Sequence, residues 1–304
     1  HLMVLTNHLP TPSGGTLAEF ALAEADEVAR LLTVSDGRGL VLLTARSRLE
    51  SIRDHARPLL ERFGLVLLAQ GDAPSPVLQE RLAAERSSSL LALRSFWEGV
   101  DVPGEALSLL VVEKLPFDPP TDPVVGARMD DIEIHGGDPF SDYLVPQAVL
   151  RFVQGVGRLI RSPSDFGATV ILDNRLRRPL PYREQFLRSV PGPPRILRPL
   201  LAEEGYEAIA EHLGLAYDDA LRERLASLPS ANRWAALDQL QLTDDEARDE
   251  TVATARFEDL RVLLGFSSWR PGQLDVMLRI ARGDDVLALL PTGSGKSLTF
   301  QLPG

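Results

Sequence analysis

Cysteine is absent from the 304 residues, which excludes disulfides, thiolate metal sites and cysteine nucleophiles from this chain. No run of about 18 apolar residues occurs, so we predict no membrane span. No secretory signal pattern is present either, and we expect a cytoplasmic protein. Hydrophobic residues make up 44% and charged residues 25% of the chain, as in soluble globular proteins. Because the chain opens with His1-Leu2-Met3, we expect a fragment of a longer protein.

Lysine is also scarce: Lys114 and Lys296 stand beside thirty arginines, so an abundance of arginine is weak evidence for function. The net charge of −11 argues against a generic nucleic-acid-binding surface. The charge is uneven, however, because residues 151–200 carry a net charge of +7 and residues 201–250 a net charge of −9. This distribution predicts a local anion site followed by a solvated acidic spacer.

Short apolar strands alternate with helical patterns over most of the chain. The predicted strands are residues 40–44, 65–69, 90–93, 109–113 and 168–173, and the predicted helices are residues 17–32, 47–63, 76–86 and 146–161. Residues 1–16 are predicted to be irregular, and residues 115–142 to form a long loop. Wholly apolar strands alternating with helices predict an α/β fold with a parallel sheet covered on both faces. Ligands of such sheets bind at the carboxyl ends of the strands.

The segment QGVGRLIR, residues 154–161, has the pattern of a helix that exposes basic side chains. At about 100° per residue, Gln154, Arg158 and Arg161 share one stripe with Arg151 beside them, while apolar residues occupy the other side. Guanidinium groups present a fork of donors that suits phosphate oxygens. The stripe therefore predicts a phosphate site, and a merely solvated basic face is the alternative.

A second phosphate signal lies at residues 285–297, where an apolar strand, a glycine-rich turn and Lys-Ser at a helix start form a P-loop pattern. Its glycines let backbone N–H groups surround phosphates. Lys296 would reach the outer phosphates, and the Ser297 hydroxyl would bind Mg²⁺. The general pattern has glycine where this chain has Leu290. The predicted ATP-binding residues of this loop are Thr292, Gly293, Ser294, Gly295, Lys296 and Ser297.

Upstream of this loop, Arg270 and Gln273 are candidates for nucleotide recognition. The Gln273 amide could pair with an adenine edge, as donor and as acceptor, and Arg270 could support the base. A P-loop ATPase also needs an acidic residue that holds Mg²⁺, but only seven residues follow Ser297. We therefore expect this ATP site to be incomplete within the chain.

Three stretches carry a family resemblance: SFWEGVDVPG (95–104), LPFDPPTDPVVGAR (115–128) and DPFSDYLVPQAVLRFVQGVGRLIR (138–161). In order and spacing they resemble the second RecA-like domain of DinG/XPD-type helicases, a branch of the superfamily-two DNA helicases. The resemblance implies a RecA-like parallel sheet flanked by helices over residues 1–190. It also implies that Arg158 and Arg161 are arginine fingers, and that Gln154 places the nucleotide or the attacking water. Both fingers would act on ATP bound to a preceding domain.

The same resemblance implies further site residues. Glu98 and Asp101 would belong to the ATP cleft and couple it to DNA. The implied DNA-binding residues are Thr44, Arg46, Ser95 and Trp97. The substrate implied is single-stranded or forked DNA.

Residues 253–304 resemble the opening of a RecQ-type helicase, with FSSWRPGQ (266–273) as its adenine motif and LPTGSGKSLTFQLP (290–303) as its P-loop. They would form the truncated start of a second RecA-like domain. Residues 191–252 would be a linker, first proline-rich and then acidic and helical. In such helicases the P-loop precedes the fingers, whereas here it follows them. We therefore expect a longer parent with further RecA-like domains upstream and downstream.

The sequence thus predicts a fragment of an ATP-dependent DNA helicase that couples ATP hydrolysis, with Mg²⁺, to DNA unwinding or translocation in repair or recombination. The fragment alone is expected to be inactive, because neither ATP cleft is complete. One alternative is a degenerate, non-catalytic RecA-like module that binds nucleic acid. A second is an unrelated P-loop kinase that uses Lys296.

Overall fold

The computed structural model describes residues 1–6, 9, 17–93, 107–160, 166–177, 179–190, 194–198, 202–229, 248–263, 272–282 and 284. The chain divides into two compact units. The first comprises residues 1–9 and 24–228, and the second comprises residues 10–23 and 229–304. No helix in the described ranges is both long enough and apolar enough to cross a membrane.

The first unit is built on a seven-stranded sheet. The strands are β1 (Leu2–Leu5), β2 (Gly39–Leu43), β3 (Val66–Ala69), β4 (Ser88–Leu93), β5 (Leu109–Val112), β6 (Ala168–Ile171) and β7 (Arg195–Leu197). Their order in the sheet is β3-β4-β2-β5-β6-β1-β7, and every pair is parallel. The central strands β2, β5 and β6 are buried on both faces, as the predicted α/β fold requires.

Helices connect and cover these strands. They are α1 (Leu17–Val34), α2 (Arg46–Glu61), α3 (Ser75–Ala84), α4 (Pro123–Ile134), α5 (Val145–Val156), α6 (Arg183–Arg188), α7 (Ala202–His212) and α8 (Asp219–Ala226). A π-helical turn, Phe140–Leu144, precedes α5, and a 3₁₀ turn, Asn174–Arg177, follows β6. The five predicted strands and the first three predicted helices are confirmed, with ends shifted by at most two residues. The predicted helix 146–161 is confirmed as α5, which ends earlier, at Val156.

Two predictions about irregular segments were wrong. The first was that residues 1–16 are irregular. Within them, Leu2–Leu5 forms β1, which lies between β6 and β7 in the sheet. Four apolar residues are too short to show a periodicity, and their pairing partner, Ala168–Ile171, is far away in sequence. The second is the loop 115–142, which contains α4. The Asp122 side chain caps α4 by accepting bonds from the backbone N–H groups of Val124 and Val125, at 2.9 and 3.1 Å.

The first unit also extends past the predicted boundary at residue 190. Strand β7 forms the edge of the sheet beside β1. The Tyr206 hydroxyl of α7 donates to buried Glu27 at 2.6 Å, and Arg30 donates to the Leu228 carbonyl at 3.0 Å. Short helices were expected in this acidic segment, and α7 and α8 form there and belong to the first unit.

Within residues 229–304 the structure describes two helices, α9 (Glu250–Leu263) and α10 (Gln273–Ala281). Arg282, after α10, forms an ion pair with Glu250 at 2.7 Å. Gln273 is the first residue of α10, preceded by Gly272 at a φ of 84°. Its side chain is nearly buried, with the residue 5% exposed.

Candidate functional site

Helix α5 presents the first part of the predicted arginine stripe. Phe152 and Val156 are fully buried on its inner face, which the apolar pattern predicted. Gln154 and Arg158 are partly exposed on the other side. The apolar face continues past the helix end, because Leu159 and Ile160 are 5% and 6% exposed.

The backbone tightens where α5 ends. Gly157 N–H still bonds to the Val153 carbonyl four residues back, but Arg158 N–H bonds to the Gly155 carbonyl at 3.0 Å, only three residues back. Leu159 N–H likewise bonds to the Val156 carbonyl. Such 3₁₀ bonds advance the chain by about 120° per residue rather than about 100°. The regular helix that carries the predicted stripe therefore ends near Arg158, and Arg161 lies outside the described residues.

This turn lies at the amino end of the sheet. Leu159 packs over Gly167, which directly precedes β6, and a Cβ atom at Gly167 would lie 2.7 Å from Leu159 Cδ1. The chain from β5 to β6 thus runs along α5 away from the carboxyl ends of the strands. We conclude that Gln154 and Arg158 stand at the end of the sheet opposite the carboxyl ends.

Arg151, which the sequence placed beside this stripe, has a different partner. Its guanidinium donates to Asp118 at 2.6 Å and to the Pro116 carbonyl at 3.3 Å. Both side chains of the pair are nearly buried, 12% exposed for Arg151 and 4% for Asp118. The charge of Arg151 is therefore neutralised within the fold, and this residue ties α5 to the loop after β5.

At the carboxyl ends of the strands, a fully buried carboxylate, Glu113, collects hydrogen bonds. It follows β5 directly, and its Oε2 accepts from the Thr44 hydroxyl at 2.9 Å and from the Thr44 backbone N–H at 3.2 Å. Its Oε1 accepts from Arg48 Nε at 3.1 Å, and Lys114 Nζ lies 3.7 Å from the same oxygen. Arg48 also pairs with buried Glu24 on α1. Two buried carboxylates are thus balanced by two cations.

Glu113 was missed by the sequence reasoning. The available signal was a charged residue directly after an apolar strand, at the end of the sheet where ligands bind. What could not be read from the sequence is that β5 lies beside β2, although β3 and β4 separate them in the chain. That neighbourhood brings Glu113 to Thr44.

Residues 44–47, which run from the end of β2 into the first turn of α2, are exposed. The N-cap of α2 is Ala45, and no side chain caps this helix end. Free N–H groups at a helix start carry partial positive charge. The Arg46 side chain is 64% exposed and reaches Glu50 at 3.1 Å, a surface pair of little energetic weight. The turn therefore presents one exposed guanidinium and a favourable field for an anion.

A second polar anchor follows β6. Asp173, whose side chain is fully buried, accepts bonds from the Leu115 backbone N–H at 3.0 Å and from Arg175 Nε at 2.9 Å. The Arg175 guanidinium also lies 5.3 Å from the Phe117 ring. Burial acts to lower the pKa of Arg175, but the hydrogen bond and charge of Asp173 raise it overall, so this residue stays charged. The pair fixes the loop that follows β5.

The other predicted site residues lie outside the described residues. They are Ser95, Trp97, Glu98, Asp101, Arg161, Arg270, Thr292, Gly293, Ser294, Gly295, Lys296 and Ser297. Their roles stay predictions. Of the predicted set, the structure describes Thr44, Arg46, Gln154, Arg158 and Gln273. It places Thr44 and Arg46 together at the carboxyl end of the sheet, and Gln154 and Arg158 together at the amino end.

Comparison with known proteins gives this fold a family. Residues 28–192 match the family described as the helicase C-terminal domain. The ATP-dependent DNA helicase YoaA of Haemophilus influenzae is 43% identical over 165 residues, 54% of this chain and 25% of that protein. YoaA of Escherichia coli is 39% identical over 194 residues, 64% of this chain and 29% of that protein. The ATP-dependent helicase DinG of Mycobacterium tuberculosis is 34% identical over 175 residues, 58% of this chain and 26% of that protein.

The chain therefore spans about a quarter of the length of the curated relatives it matches. Among solved structures, an XPD helicase aligns with a TM-score of 0.51 at 15% identity, over 65% of this chain and 35% of that one. This likeness concerns the fold alone, a parallel sheet with helices on both faces. The predicted likeness of residues 1–190 to DinG/XPD-type helicases is confirmed. With residues 28–192 of its 304 matched, the chain belongs to the helicase C-terminal domain family.

Proposed function

We propose that this chain contributes the second RecA-like domain of an ATP-dependent DNA helicase. The family match and the relatives named ATP-dependent DNA helicases support this function. The observation that carries it is the separation of two sets of polar side chains at opposite ends of the sheet. Gln154 and Arg158 lie at the amino end of the sheet, and the turn with Arg46 lies at the carboxyl end.

At the amino end, Arg158 and Arg161 would act on ATP held by a preceding RecA-like domain of the parent chain. ATP supplies the phosphoryl group that is transferred to water. The two guanidiniums stabilise the negative charge on that group as it transfers, and arginine fingers of this kind accelerate hydrolysis by about 10³–10⁵-fold. Gln154 holds the nucleotide or the attacking water. The buried inner face of α5 supports this role, because it fixes the helix that carries these side chains.

At the carboxyl end, Arg46 would bind the phosphate backbone of single-stranded or forked DNA. Its exposure and the uncapped start of α2 favour an anion there. The chain's net charge of −11 restricts such binding to local sites. Ser95 and Trp97 would also bind DNA, and Glu98 and Asp101 would couple this DNA site to the ATP cleft.

The second unit would begin another ATP-binding domain, of RecQ type. Arg270 and Gln273 would recognise adenine, Lys296 would bind the phosphates, and Ser297 would bind Mg²⁺. The position of Gln273 as the first residue of α10, after Gly272, is compatible with a recognition loop that leads into a helix. Residues 191–252, of which α7 and α8 belong to the first unit, would then lie between the two domains.

The competing function is a degenerate RecA-like module that binds nucleic acid without supporting hydrolysis. Retention of Gln154, Arg158 and Arg161 together disfavours it, since a non-catalytic module has no need of this set. The helicase function requires Arg158 and Arg161 for ATP hydrolysis, whereas the non-catalytic module does not require them.

The experiment that separates them is DNA-stimulated ATP hydrolysis by the full-length parent protein carrying Lys296→Ala, which removes turnover at the second proposed ATP-binding domain. Arg161→Ala should abolish stimulated turnover and leave ATP binding largely intact. Arg188→Ala is the matched control, because this exposed arginine on α6 pairs with Glu184 on its own helix. Unchanged turnover in Arg161→Ala would favour the non-catalytic module.

A further inference from the structure

We infer that Glu113 is a positioning residue for DNA binding, and that Thr44 acts through Glu113 instead of donating to DNA itself. This inference rests on the proposed function, in which Arg46 in the adjacent turn binds the phosphate backbone. It assigns a role to a buried residue at the carboxyl end of β5 and changes the role expected for Thr44.

The hydrogen-bond directions at Thr44 carry the argument. A carboxylate accepts hydrogen bonds and has no hydrogen to donate, and a threonine hydroxyl has one hydrogen to give. The Thr44 hydroxyl lies 2.9 Å from Glu113 Oε2, and the Thr44 backbone N–H lies 3.2 Å from the same atom. Both donors of Thr44 are therefore committed to Glu113. Toward a phosphate, Thr44 could turn only the lone pairs of its hydroxyl oxygen, which an anion repels.

Thr44 instead fixes the exit of β2 and the entry of α2. Two bonds to one buried oxygen hold both its backbone and its side chain. Ala45, the next residue, adopts the extended conformation of an N-cap, at a φ of −138° and a ψ of 143°. Arg46 follows as the first residue of α2. The orientation of Arg46 toward DNA thus depends on where Thr44 is held.

Glu113 is itself held rigidly enough to serve as this reference point. Its residue is 0% exposed, and its second oxygen accepts from Arg48 Nε at 3.1 Å. Arg48 lies on α2 two residues after Arg46, so Glu113 binds the turn from both sides. Arg48 also pairs with buried Glu24 on α1, and the network therefore joins the turn to a second helix. Satisfied buried polar networks of this kind rigidify the structure around them.

The amide of a glutamine could not replace this carboxylate. One end of the Glu113→Gln side chain would be an NH₂ group, which has hydrogens to donate. If this NH₂ group faced Thr44, it and the Thr44 backbone N–H would be two donors facing each other with no acceptor between them. If it faced Arg48, it would oppose a guanidinium. Either arrangement releases one side of the turn.

The test is binding of a fluorescently labelled oligothymidylate to the 304-residue chain, measured by anisotropy at several salt concentrations. The chain variants are Thr44→Val, Thr44→Ser, Glu113→Gln, Arg46→Ala and the double variant Thr44→Val/Arg46→Ala. Losing one phosphate contact weakens binding by about tenfold and lowers the slope of log affinity against log salt by about one.

If Thr44 positions Arg46, Thr44→Val lowers both affinity and salt slope as Arg46→Ala does, and the double variant binds no more weakly than either single variant. Thr44→Ser, which keeps the hydroxyl, retains binding. Glu113→Gln reproduces the Thr44→Val result. If Glu113→Gln does not fold, the two Thr44 variants still show whether Thr44 positions Arg46, because they leave the buried charges intact.

Different results overturn different parts of the account. A direct, neutral hydrogen bond from Thr44 to DNA would lower affinity in Thr44→Val without changing the salt slope, and its effect would add to that of Arg46→Ala. That outcome overturns the role given to Glu113 while the DNA site stands. If the unmodified chain does not bind the oligonucleotide, or if Arg46→Ala binds as well as the unmodified chain, the proposed DNA site is wrong and this inference falls with it.

Discussion

The guanidinium of Arg151 donates a 2.6 Å hydrogen bond to Asp118, and this pair joins the middle of α5 to the loop after β5. Arg151 lies one turn before Gln154 on the same helix. The pair therefore anchors the helix that carries the proposed catalytic residues. It also explains why a basic residue next to the predicted phosphate site does not belong to that site.

We predict that Asp118→Ala strongly destabilises the protein, because it leaves the nearly buried charge of Arg151 without its carboxylate. Breaking a buried pair in this way lowers the free energy of unfolding by about 3–5 kcal/mol. Urea denaturation followed by circular dichroism measures the change. Disrupting the exposed pair between Arg188 and Glu184 with Arg188→Ala should cost less than about 1 kcal/mol. Equal losses in the free energy of unfolding for the two variants would show that the buried Arg151 pair stabilises the protein no more than the exposed pair does.

Gly167 is predicted to be required at the turn that presents Arg158. A Cβ atom there would lie 2.7 Å from Leu159 Cδ1 and 2.9 Å from the Ser108 carbonyl oxygen, which belongs to the backbone and cannot rotate away. Gly167→Ala should therefore lower the free energy of unfolding by about 1–3 kcal/mol, as other overpacked substitutions do. In the parent protein it should also reduce DNA-stimulated hydrolysis.

Gly126→Ala on α4 is the matched control for this substitution. Its added Cβ would make an ordinary 3.5 Å contact with the Pro120 carbonyl oxygen. Alanine also favours a helix interior over glycine, so the control should be neutral or more stable by about 0.5–1 kcal/mol. If both variants unfold alike, the close packing around Gly167 does not constrain the turn.

Tyr206 is predicted to hold α7 on the first unit. Its hydroxyl donates to buried Glu27 at 2.6 Å, and burial, together with the nearby charge of Glu27, raises its pKa well above the usual value. The hydroxyl therefore stays protonated and remains a donor throughout the physiological pH range. Tyr206→Phe should lower the free energy of unfolding by about 1.5–3 kcal/mol, the range for a hydrogen bond to a charged group.

Tyr217→Phe provides the comparison, because its ring packs against Arg222 at 4.9 Å and this contact does not need the hydroxyl. Thermal unfolding of both variants at neutral pH measures the difference. A Tyr206→Phe protein as stable as Tyr217→Phe would indicate that residues 202–228 contribute little to the first unit, as a free linker would.

The sequence contained enough information for the central strands and for the inner face of α5. Strands such as Leu40–Leu43, buried on both faces, appear as continuous apolar runs, and Phe152 and Val156 recur at helical spacing. Strand β1 could not be recognised, because four apolar residues are too few to show a periodicity and they form a strand only by pairing with β6. The start of α4 could have been predicted from the sequence, because Asp122 is a capping residue and Pro123 after it is a first-turn proline.

The site was predictable in part. The exposed side of α5 followed from periodicity, but the 3₁₀ turn after Gly157 depends on how Leu159 packs against Gly167. The bonds between Glu113 and Thr44 depend on the strand order, which brings β5 next to β2. No local pattern encodes either arrangement.

The central claim is that ATP and DNA are served by opposite ends of this sheet, and steady-state hydrolysis by the parent protein tests it most directly. The measurement is ATP turnover as a function of single-stranded DNA concentration, at saturating ATP. The parent protein carries Lys296→Ala to remove turnover at the second proposed ATP-binding domain, and it is measured alone and with Arg158→Ala or Arg46→Ala added. We predict that Arg158→Ala lowers the maximal rate by about 10³-fold or more, with little change in the DNA concentration that gives half-maximal stimulation. Arg46→Ala should raise that DNA concentration by about tenfold and leave the maximal rate unchanged. The contrary result, in which both variants change the same parameter to a similar extent, would contradict the separation of the two sites.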